Sequence, residues 1–566
     1  MTSFLKNLWS LIAPYWRSKE RKVAILLLVT IIVLNLLEVF INVRLNKWNN
    51  DFYNALQALN KPAFFSALWE FSYLAVSFII IVVYKIYLNQ MLQLRWRRWS
   101  TLDFLNRWLD RKNYYRMQFV DHKSDNPDQR ISEDVGQFID LTLGLSLGLL
   151  SSIVTLFSFL FILWNLSGAL IVPLGQFGQF SVPGYMVWVA LLYAAAGTWI
   201  TSKLGRPLIA LSFQQQKFEA DFRFALVRFR ENSEPIAFYK GEHQEKEIFM
   251  SRFTRIFDNY WSIMKRQKTL TWFTSGYGQI ANIFPILVIA PRYFAKQIQL
   301  GGLMQTASAF GQVQESFSFI ISSYGNIATW KAVIQRLNGF NQAMQESETL
   351  PEISYGEGNG LSTDNLSVSL PNGEKLFDRL SLNLKAGDWL LIKGPSGSGK
   401  TTLLRSLAGL WPFTSGDLSL PLPEKSLFLP QKPYLPLGSL RAVLSYPTAH
   451  SENDETLRRI LETCQLAQLG DRLDEVADWS HILSPGEQQR LAFARVFIAQ
   501  PEFIFLDEAS SALDEKTESL LYGLLKEKLP QAIIVSVGHR ETISQFHDTT
   551  IDLSAYSKLA KASPTA

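Results

Sequence analysis

Hydrophobic positions in the first 345 residues gather into long runs with few charges. Val23 to Val43 is apolar apart from Thr30, Asn35, Glu38 and Asn42, enough at about 1.5 Å per residue to cross roughly 30 Å of hydrocarbon. Phe71 to Tyr84 is a second run, closed by Lys85. Leu141 to Ser202 holds no charged residue, and the Gly and Pro between Pro173 and Gly184 divide it in two. Thr269 to Ala290 is again uncharged. Leu300 to Tyr324 is richer in Gln and Ser and contains Glu315, so it is the least apolar of the set. The pattern predicts an all-α membrane domain over 1–345 with six spans, at about 23–43, 66–88, 143–164, 184–204, 271–292 and 302–324.

The pattern then changes. Glu346 to Gly360 is polar and carries Pro351, Gly356, Gly358 and Gly360, which reads as a linker over 346–360. Over 361–555 short β-type runs alternate with helical ones, the signature of an α/β domain. Residues 556–566 read as a polar tail.

Composition supports the membrane half. Hydrophobic residues make up 48% and aromatics 13%, with 16 Trp and 39 Phe, a load that suits the aromatic belts of membrane interfaces. The net charge of +5 does not suggest nucleic acid, because the basic residues fall between apolar runs and form no contiguous patch.

Their placement gives orientation. The loop from Asn89 to Asp140 holds nine Lys and Arg, among them Arg95, Arg97, Arg98, Arg107 and Arg116, and the segment after Lys203 holds Arg206, Lys217, Arg223, Arg228 and Arg230. Basic residues stay on the cytoplasmic side, so both termini are expected there. Lys6, Arg17, Lys19, Arg21 and Lys22 precede the first run with no small-residue cleavage site, which reads as an uncleaved span. Cys464 is the only cysteine, which excludes an intrachain disulfide or a cysteine metal cluster.

Candidate chemistry lies in the α/β part. Gly394-Pro395-Ser396-Gly397-Ser398-Gly399-Lys400-Thr401-Thr402 follows the strand-like Trp389 to Lys393 and precedes the helix-like Leu403 to Leu410. This is the phosphate-binding loop in the context it requires: glycines let backbone N–H groups approach phosphate oxygens, Lys400 adds positive charge, and Thr401 offers a hydroxyl to Mg²⁺. Phe503 to Leu506 is a continuous apolar strand delivering Asp507 and Glu508 to its C-terminal end. There Asp507 would hold Mg²⁺ and Glu508 would polarise the attacking water; read alone, the pair is equally an ordinary strand end with a helix-capping Asp. Leu483-Ser484-Pro485-Gly486-Glu487-Gln488-Gln489-Arg490 can present a hydroxyl and bare N–H groups to a phosphate, although by itself it reads more simply as a capped helix start.

In order, the phosphate loop, Gln431, the LSPGEQQR segment, Asp507-Glu508, Ser511-Ala512-Leu513-Asp514 and His539 in SVGHR resemble the ATP-binding-cassette ATPases. The resemblance implies that Gln431 links nucleotide and Mg²⁺ to the membrane domain and that His539 contacts the γ-phosphate. It also implies that Asp514 belongs to the nucleotide-binding residues and that Ser484 and Gly486 complete the site of a second subunit. One chain holds one cassette, so a homodimer is the simplest consequence. In the membrane half, Asn46 to Gln57, Leu94 to Thr101, Asp125 to Asp134, Glu219 to Tyr239 and Gly301 to Val313 resemble the SbmA/BacA group of peptide and vitamin B12 transporters, in its ATPase-fused members. The Asp125 to Asp134 motif and the surroundings of Trp479 are also similar to the peroxisomal fatty-acyl half-transporters.

The implied function is an exporter-like homodimer in the bacterial inner membrane, with cytoplasmic cassettes, driven by ATP and Mg²⁺. Its cargo would be cobalamin, a peptide or another hydrophilic solute. The alternatives are an ion-gradient translocator whose cassette only regulates it, a transporter of fatty-acyl compounds, and a soluble cassette ATPase, which the apolar runs count against. Two departures from the family pattern stand out. Pro485 replaces the first signature glycine, and the adenine-stacking aromatic position falls near Leu370, with Tyr355 a weak substitute.

Glu38 and Glu315 are expensive facing lipid, so they are expected to line a polar solute route or to bond a neighbouring helix. Lys85 and Arg292 are expected to snorkel to an interface, and Trp48, Trp96, Trp99 and Trp108 to serve packing or interface roles.

Overall fold

The computed structural model describes residues 2–120, 126–173, 179–351, 360–419, 423–448 and 452–556. Asp125, Tyr355, most of the expected linker and nearly all of the tail lie outside these residues. The chain forms two compact units, residues 1–114 with 121–345, and residues 115–120 with 346–566.

The first unit is helical. Its main helices are α1 (Thr2–Arg17), α2 (Arg21–Gln57), α3 (Lys61–Leu109), α4 (Val135–Ser167), α5 (Tyr185–Glu231), α6 (Glu242–Phe294), α7 (Leu300–Ser322) and α8 (Tyr324–Glu348). Helix α3 starts where Asn60 accepts a hydrogen bond from the N–H of Ala63 at 3.1 Å, with Pro62 in the first turn; such a cap satisfies donors that the helix itself cannot. The Gly/Pro break predicted inside the longest apolar run is an antiparallel hairpin, β1 (Ala169–Pro173) with β2 (Gln179–Pro183). It is bounded by Gly168 and Gly184, both at positive φ, a conformation that glycine adopts without strain.

Among the described residues, five helices, α2 to α6, are long and apolar enough to cross a membrane. Helix α7 is not among them, and its burial explains the weaker signal. Leu303, Ala309, Phe310 and Val313 are buried together with Gln305, Thr306 and Ser316, and Ala309, Phe310 and Val313 share a core with Phe159 and Leu163 of α4 and Met186 and Ala190 of α5. A helix mostly buried against other helices need not be uniformly apolar, because little of it is left to face lipid.

One face of α2 is bonded to the start of α7. Asn46 donates to the Gln305 carbonyl at 3.0 Å, Asn50 to Gln305 Oε1 at 2.7 Å, and the N–H of Gly301 donates to Asn54 Oδ1 at 2.8 Å. Asn46, Asn50 and Asn54 are four residues apart, which puts them in one row along a helix. Gly301 permits the approach: a Cβ there would lie 2.0 Å from the Asn50 carbonyl oxygen. Two of the membrane motifs read in the sequence therefore meet here.

Two expectations need correcting. Lys85 does not snorkel; its ammonium is paired with Glu38 of α2, because a carboxylate and an ammonium on adjacent apolar helices neutralise each other more cheaply than either can reach water. Arg292 donates to the carbonyls of Leu166, at 3.1 Å, and Ser167, so it caps the C-terminal end of α4, where backbone oxygens lack helical partners. Glu315 of α7 is exposed. Trp96 is buried and stacked on Tyr15 at 5.3 Å, a packing role.

Asp134, at the entry to α4, is buried and held from two sides, by Arg336 of α8 at 2.6 Å and by Arg130 at 2.8 Å. Burial opposes its ionisation, but the hydrogen bonds and charges of the two guanidinium groups outweigh this and hold the carboxyl below the ordinary range.

The second unit is α/β. Strands β5 (Trp389–Lys393), β7 (Ser426–Leu429), β8 (Phe503–Asp507), β9 (Ile533–Val537) and β10 (Thr549–Asp552) form a parallel sheet in the order β10-β5-β9-β8-β7. Every residue of β8 and β9 is buried, which is why these strands read as unbroken apolar runs. Strands β3 (Leu361–Ser369), β4 (Lys375–Leu384) and β6 (Thr414–Ser419) form a separate antiparallel sheet. Helix α9 (Lys400–Leu407) covers one face, with Leu404 and Leu407 in the core that holds Phe377 and Leu380. Helices α10 (Pro485–Ala499) and α11 (Glu515–Lys528) contribute Leu491, Phe493, Leu521 and Tyr522 to the other core.

Residues 115–120 belong to this unit although they lie between α3 and α4 in the chain. Phe119 meets Trp411 edge-on at 4.9 Å and Phe413 at 5.7 Å. Arg116 donates to the carbonyls of Ser347, at 3.1 Å, and Leu350, at 2.6 Å.

Candidate active site

The loop from Gly394 to Gly399 runs from the end of β5 into α9. Gly397 and Gly399 are at φ 80° and 88°, in the left-handed region that a side chain would strain. At Gly399 a Cβ would also come within 3.1 Å of the Phe377 ring. Lys400 opens α9 and turns back over the loop, donating to the carbonyls of Gly394 and Pro395, both at 2.9 Å. Burial lowers its pKa against the opposing pull of Glu508 and Asp507. Ser396 is exposed, and Ser398 is buried with no partner for its Oγ among the described residues. Thr402 continues the first turn, its carbonyl accepting from Ser406.

Thr401 Oγ1 donates to Asp507 Oδ1 at 3.2 Å. The end of β8 thus lies beside the first turn of α9, although β9 stands between β8 and β5 in the sheet. Burial raises the pKa of Asp507, while the Thr401 hydrogen bond and the cations nearby oppose the rise. Glu508 leaves the strand at φ 49° and donates its N–H to the Val537 carbonyl at 3.1 Å; a non-glycine residue held there costs about 1–3 kcal/mol, the kind of strain that collects at functional sites. Gln431 Nε2 lies 3.1 Å from Glu508 Oε2, and His539 Nε2 lies 3.6 Å from Glu508 Oε1. Lys400, Thr401, Gln431, Asp507, Glu508 and His539 are therefore linked into one site.

Ser484, Gly486 and Asp514 make other contacts. Ser484 caps α10 reciprocally with Glu487: the Glu487 N–H donates to Ser484 Oγ at 3.3 Å and the Ser484 N–H to Glu487 Oε2 at 2.9 Å. Pro485 falls at the first helical position, where an N–H would have no intrahelical partner, so it fits the helix without loss. At Gly486 a Cβ would lie 3.2 Å from the Ala512 carbonyl. Asp514 caps α11, accepting from the N–H groups of Lys516 and Thr517 at 3.1 and 3.0 Å. Leu370 sits in a turn closed by hydrogen bonds with Glu374 and Gly373 and packs on the core.

Two residues inside the quoted motifs, to which sequence reasoning assigned no role, organise the site. Gln489, buried in α10, donates to the Gln431 carbonyl at 3.0 Å and to Ser511 Oγ at 3.1 Å, and accepts from the Ala512 N–H at 2.9 Å. Arg540 donates to the carbonyls of Leu513 at 2.7 Å and Ser511 at 2.9 Å. Both lie within the LSPGEQQR and SVGHR segments, and membership of those segments was the only signal available.

Residues 8–294 match the family described as ABC transporter transmembrane region 2, and residues 377–511 match the ABC transporter domain. The chain belongs to the ABC transporters, with membrane and ATP-binding domains fused in one polypeptide. It is 35% identical over 547 residues to the inner membrane ABC transporter ATP-binding protein YddA of Escherichia coli, covering 96% of this chain and 97% of that one. It is 30% identical to the human lysosomal cobalamin transporter ABCD4, covering 95% and 92%. A bacterial Atm1-family ABC exporter solved with ATP bound shares the fold, with a TM-score of 0.70 over 97% of this chain and all of that one, at 17% identity. The protein is thus an ATP-driven membrane transporter subunit whose cassette is an ATPase.

Proposed function

We propose that two copies of the chain form a homodimer with two identical ATP sites, each built from the linked group around Glu508 in one copy and from Ser484 and Gly486 of the other. The observation that supports this most directly is the convergence of Lys400, Thr401, Gln431, Asp507, Glu508 and His539 on one site. Their hydroxyl, amide and carboxylate oxygens are hard donors suited to Mg²⁺. Thr401, Gln431 and Asp507 would hold the ion, which when bound neutralises charge on the β- and γ-phosphates. Lys400 and the N–H groups from Gly394 to Thr402 bind the phosphates; a phosphate would relieve the cost of burying the Lys400 ammonium. Glu508 orients the attacking water, with His539 beside it.

The cargo is a hydrophilic solute, of which cobalamin and peptides are the leading classes, moved across a bacterial inner membrane by six spans per chain with α7 as the sixth. Both termini and the cassette are cytoplasmic. Similarity to a cobalamin transporter and to an inner membrane protein supports this reading, as does the basic character of the C-terminal halves of α3 and α5.

A cross-linking experiment tests the dimer. Cys464 is buried, so Ser396→Cys and Ser484→Cys can be introduced into Glu508→Gln protein without a competing surface thiol. Mg-ATP should drive the product to twice the mass of one chain. A single-chain band with and without nucleotide would sink the composite site.

A further inference from the structure

Beyond β8 and β9 the chain segments that carry Glu508 and His539 separate. The two strands pair in register as far as Asp507 and Val537, and the Glu508 N–H closes the pairing on the Val537 carbonyl at 3.1 Å. Gly538 then lets the chain turn tightly, since a Cβ there would collide with Ile543 Cδ1. More than half of the His539 side chain is exposed, and its contact with Glu508 is a loose 3.6 Å. That contact does not fix the imidazole, so its place opposite the carboxylate has to be set by its neighbours in the chain.

Those neighbours meet at Glu518. This residue of α11 is 1% exposed, and its carboxylate gathers three donors. Ser510, two positions beyond Glu508, donates its hydroxyl to Oε1 at 2.6 Å. Thr542, three positions beyond His539, donates to Oε2. Arg540, next to His539, brings Nη1 to 3.6 Å from Oε1, while the same guanidinium holds the Ser511 and Leu513 carbonyls. One side chain thus ties the Glu508 segment to the His539 segment where backbone pairing between them has ended.

Packing alone does not call for this chemistry. Burying a charge is costly even when it is paired, and an apolar residue of similar volume often serves stability as well or better. What a carboxylate adds is direction, because its two oxygens fix two hydroxyls and a guanidinium at set angles. Among the described residues, Glu518 bonds neither the phosphate loop nor Gln431, Asp507 or Glu508.

We infer that Glu518 is a positioning residue for hydrolysis that holds His539 opposite Glu508 through Ser510, Arg540 and Thr542, a role that rests on those proposed above for Glu508 and His539. It acts on the chemical step and not on ATP binding.

The test is a double-mutant cycle in full-length protein in nanodiscs, read by single-turnover release of labelled phosphate so that slow variants stay measurable. Glu518→Gln keeps the volume and replaces one acceptor by a donor. It should lower the hydrolysis rate by about tenfold and leave the ATP concentration for half-saturation within about twofold of the parent. In a His539→Ala background the same substitution should change the rate by less than about twofold, because the imidazole it positions is gone. Thr542→Val, which removes one hydroxyl at nearly constant volume, should cost about threefold in the parent and nothing further in His539→Ala. It carries the cycle if the melting temperature shows that Glu518→Gln does not fold. A role in stability alone would lower the rate by the same factor in both backgrounds. Equal factors, a rate within about twofold of the parent, or a loss that falls on ATP affinity overturns the inference. Near-parent hydrolysis by His539→Ala on its own would strike the roles proposed for the site together with this one, so the two failures are told apart.

Discussion

Gln431 places its side-chain amide 3.1 Å from Glu508 Oε2 while Gln489 holds the Gln431 carbonyl at 3.0 Å. The residue that meets the candidate water-orienting carboxylate is thus anchored through its backbone to the helix that Ser484 caps.

Glu508→Gln should still bind ATP and lose hydrolysis by roughly 10²–10³-fold, the usual cost of removing one group that acts on the transition state. Nucleotide-binding and phosphate-release assays on the same preparation check it. Phosphate release close to the parent rate would contradict the assignment of Glu508.

Replacing Gln489 by Leu removes two donated hydrogen bonds and one accepted bond from a buried position. Each buried group left unpaired costs about 1–3 kcal/mol. We expect a lower melting temperature and a turnover rate reduced by about tenfold, with the affinity for ATP little changed because Gln489 bonds none of the phosphate-loop residues. An affinity that falls in step with turnover would show that Gln489 acts on nucleotide binding instead.

Asp134→Asn should destabilise the membrane unit by about 2 kcal/mol, below the 3–5 kcal/mol of a fully buried pair because Arg336 is more than a third exposed. The native carboxyl titrates below its unfolded value, near about 3.9. Its contribution is therefore complete above that value and is lost as pH falls through the lower, folded one. Melting curves of the parent and variant should stay a constant distance apart from pH 8 to about pH 5 and converge below about pH 4. A gap that closes at neutral pH would rule out this ion pair as the cause.

Gly301→Ala puts a methyl group 2.0 Å from the Asn50 carbonyl oxygen. Backbone must move to accept it, at a cost of about 1–3 kcal/mol. Thermal stability in detergent should fall, whereas Gly302→Ala, with its nearest neighbour at 3.7 Å, should leave it unchanged. Equal behaviour of the two variants would mean that α2 and α7 do not cross this closely.

Local features of the sequence carried most of the candidate ATP site. The phosphate loop, the strand ending in Asp507-Glu508 and the helix start at Ser484 are each contiguous, and their chemistry depends on residues a few positions apart. What remained hidden is non-local. Lys85 and Glu38 are 47 residues apart, and no apolar count shows how two helices are rotated to pair them. Arg292 reads as an interfacial residue until the end of α4 is placed beside it. The third side-chain bond of Gln489 crosses to a loop reached only through β8. In α7 the apolar signal weakened for the opposite reason: burial among helices relaxed the demand for uniformly hydrophobic residues that lipid imposes.

Phe119 and Arg116 come from the chain between α3 and α4, yet Phe119 lies against Trp411 and Phe413, and Arg116 ties down the end of the helical stretch at Ser347 and Leu350. An isolated cassette begun at residue 346 would lack both. It would emerge with an aromatic pit uncovered and a loosely held first turn, a poor candidate for soluble expression. Six extra residues, supplied as a peptide or grafted through a short spacer, are the remedy this architecture recommends to anyone who wants the motor without its membrane.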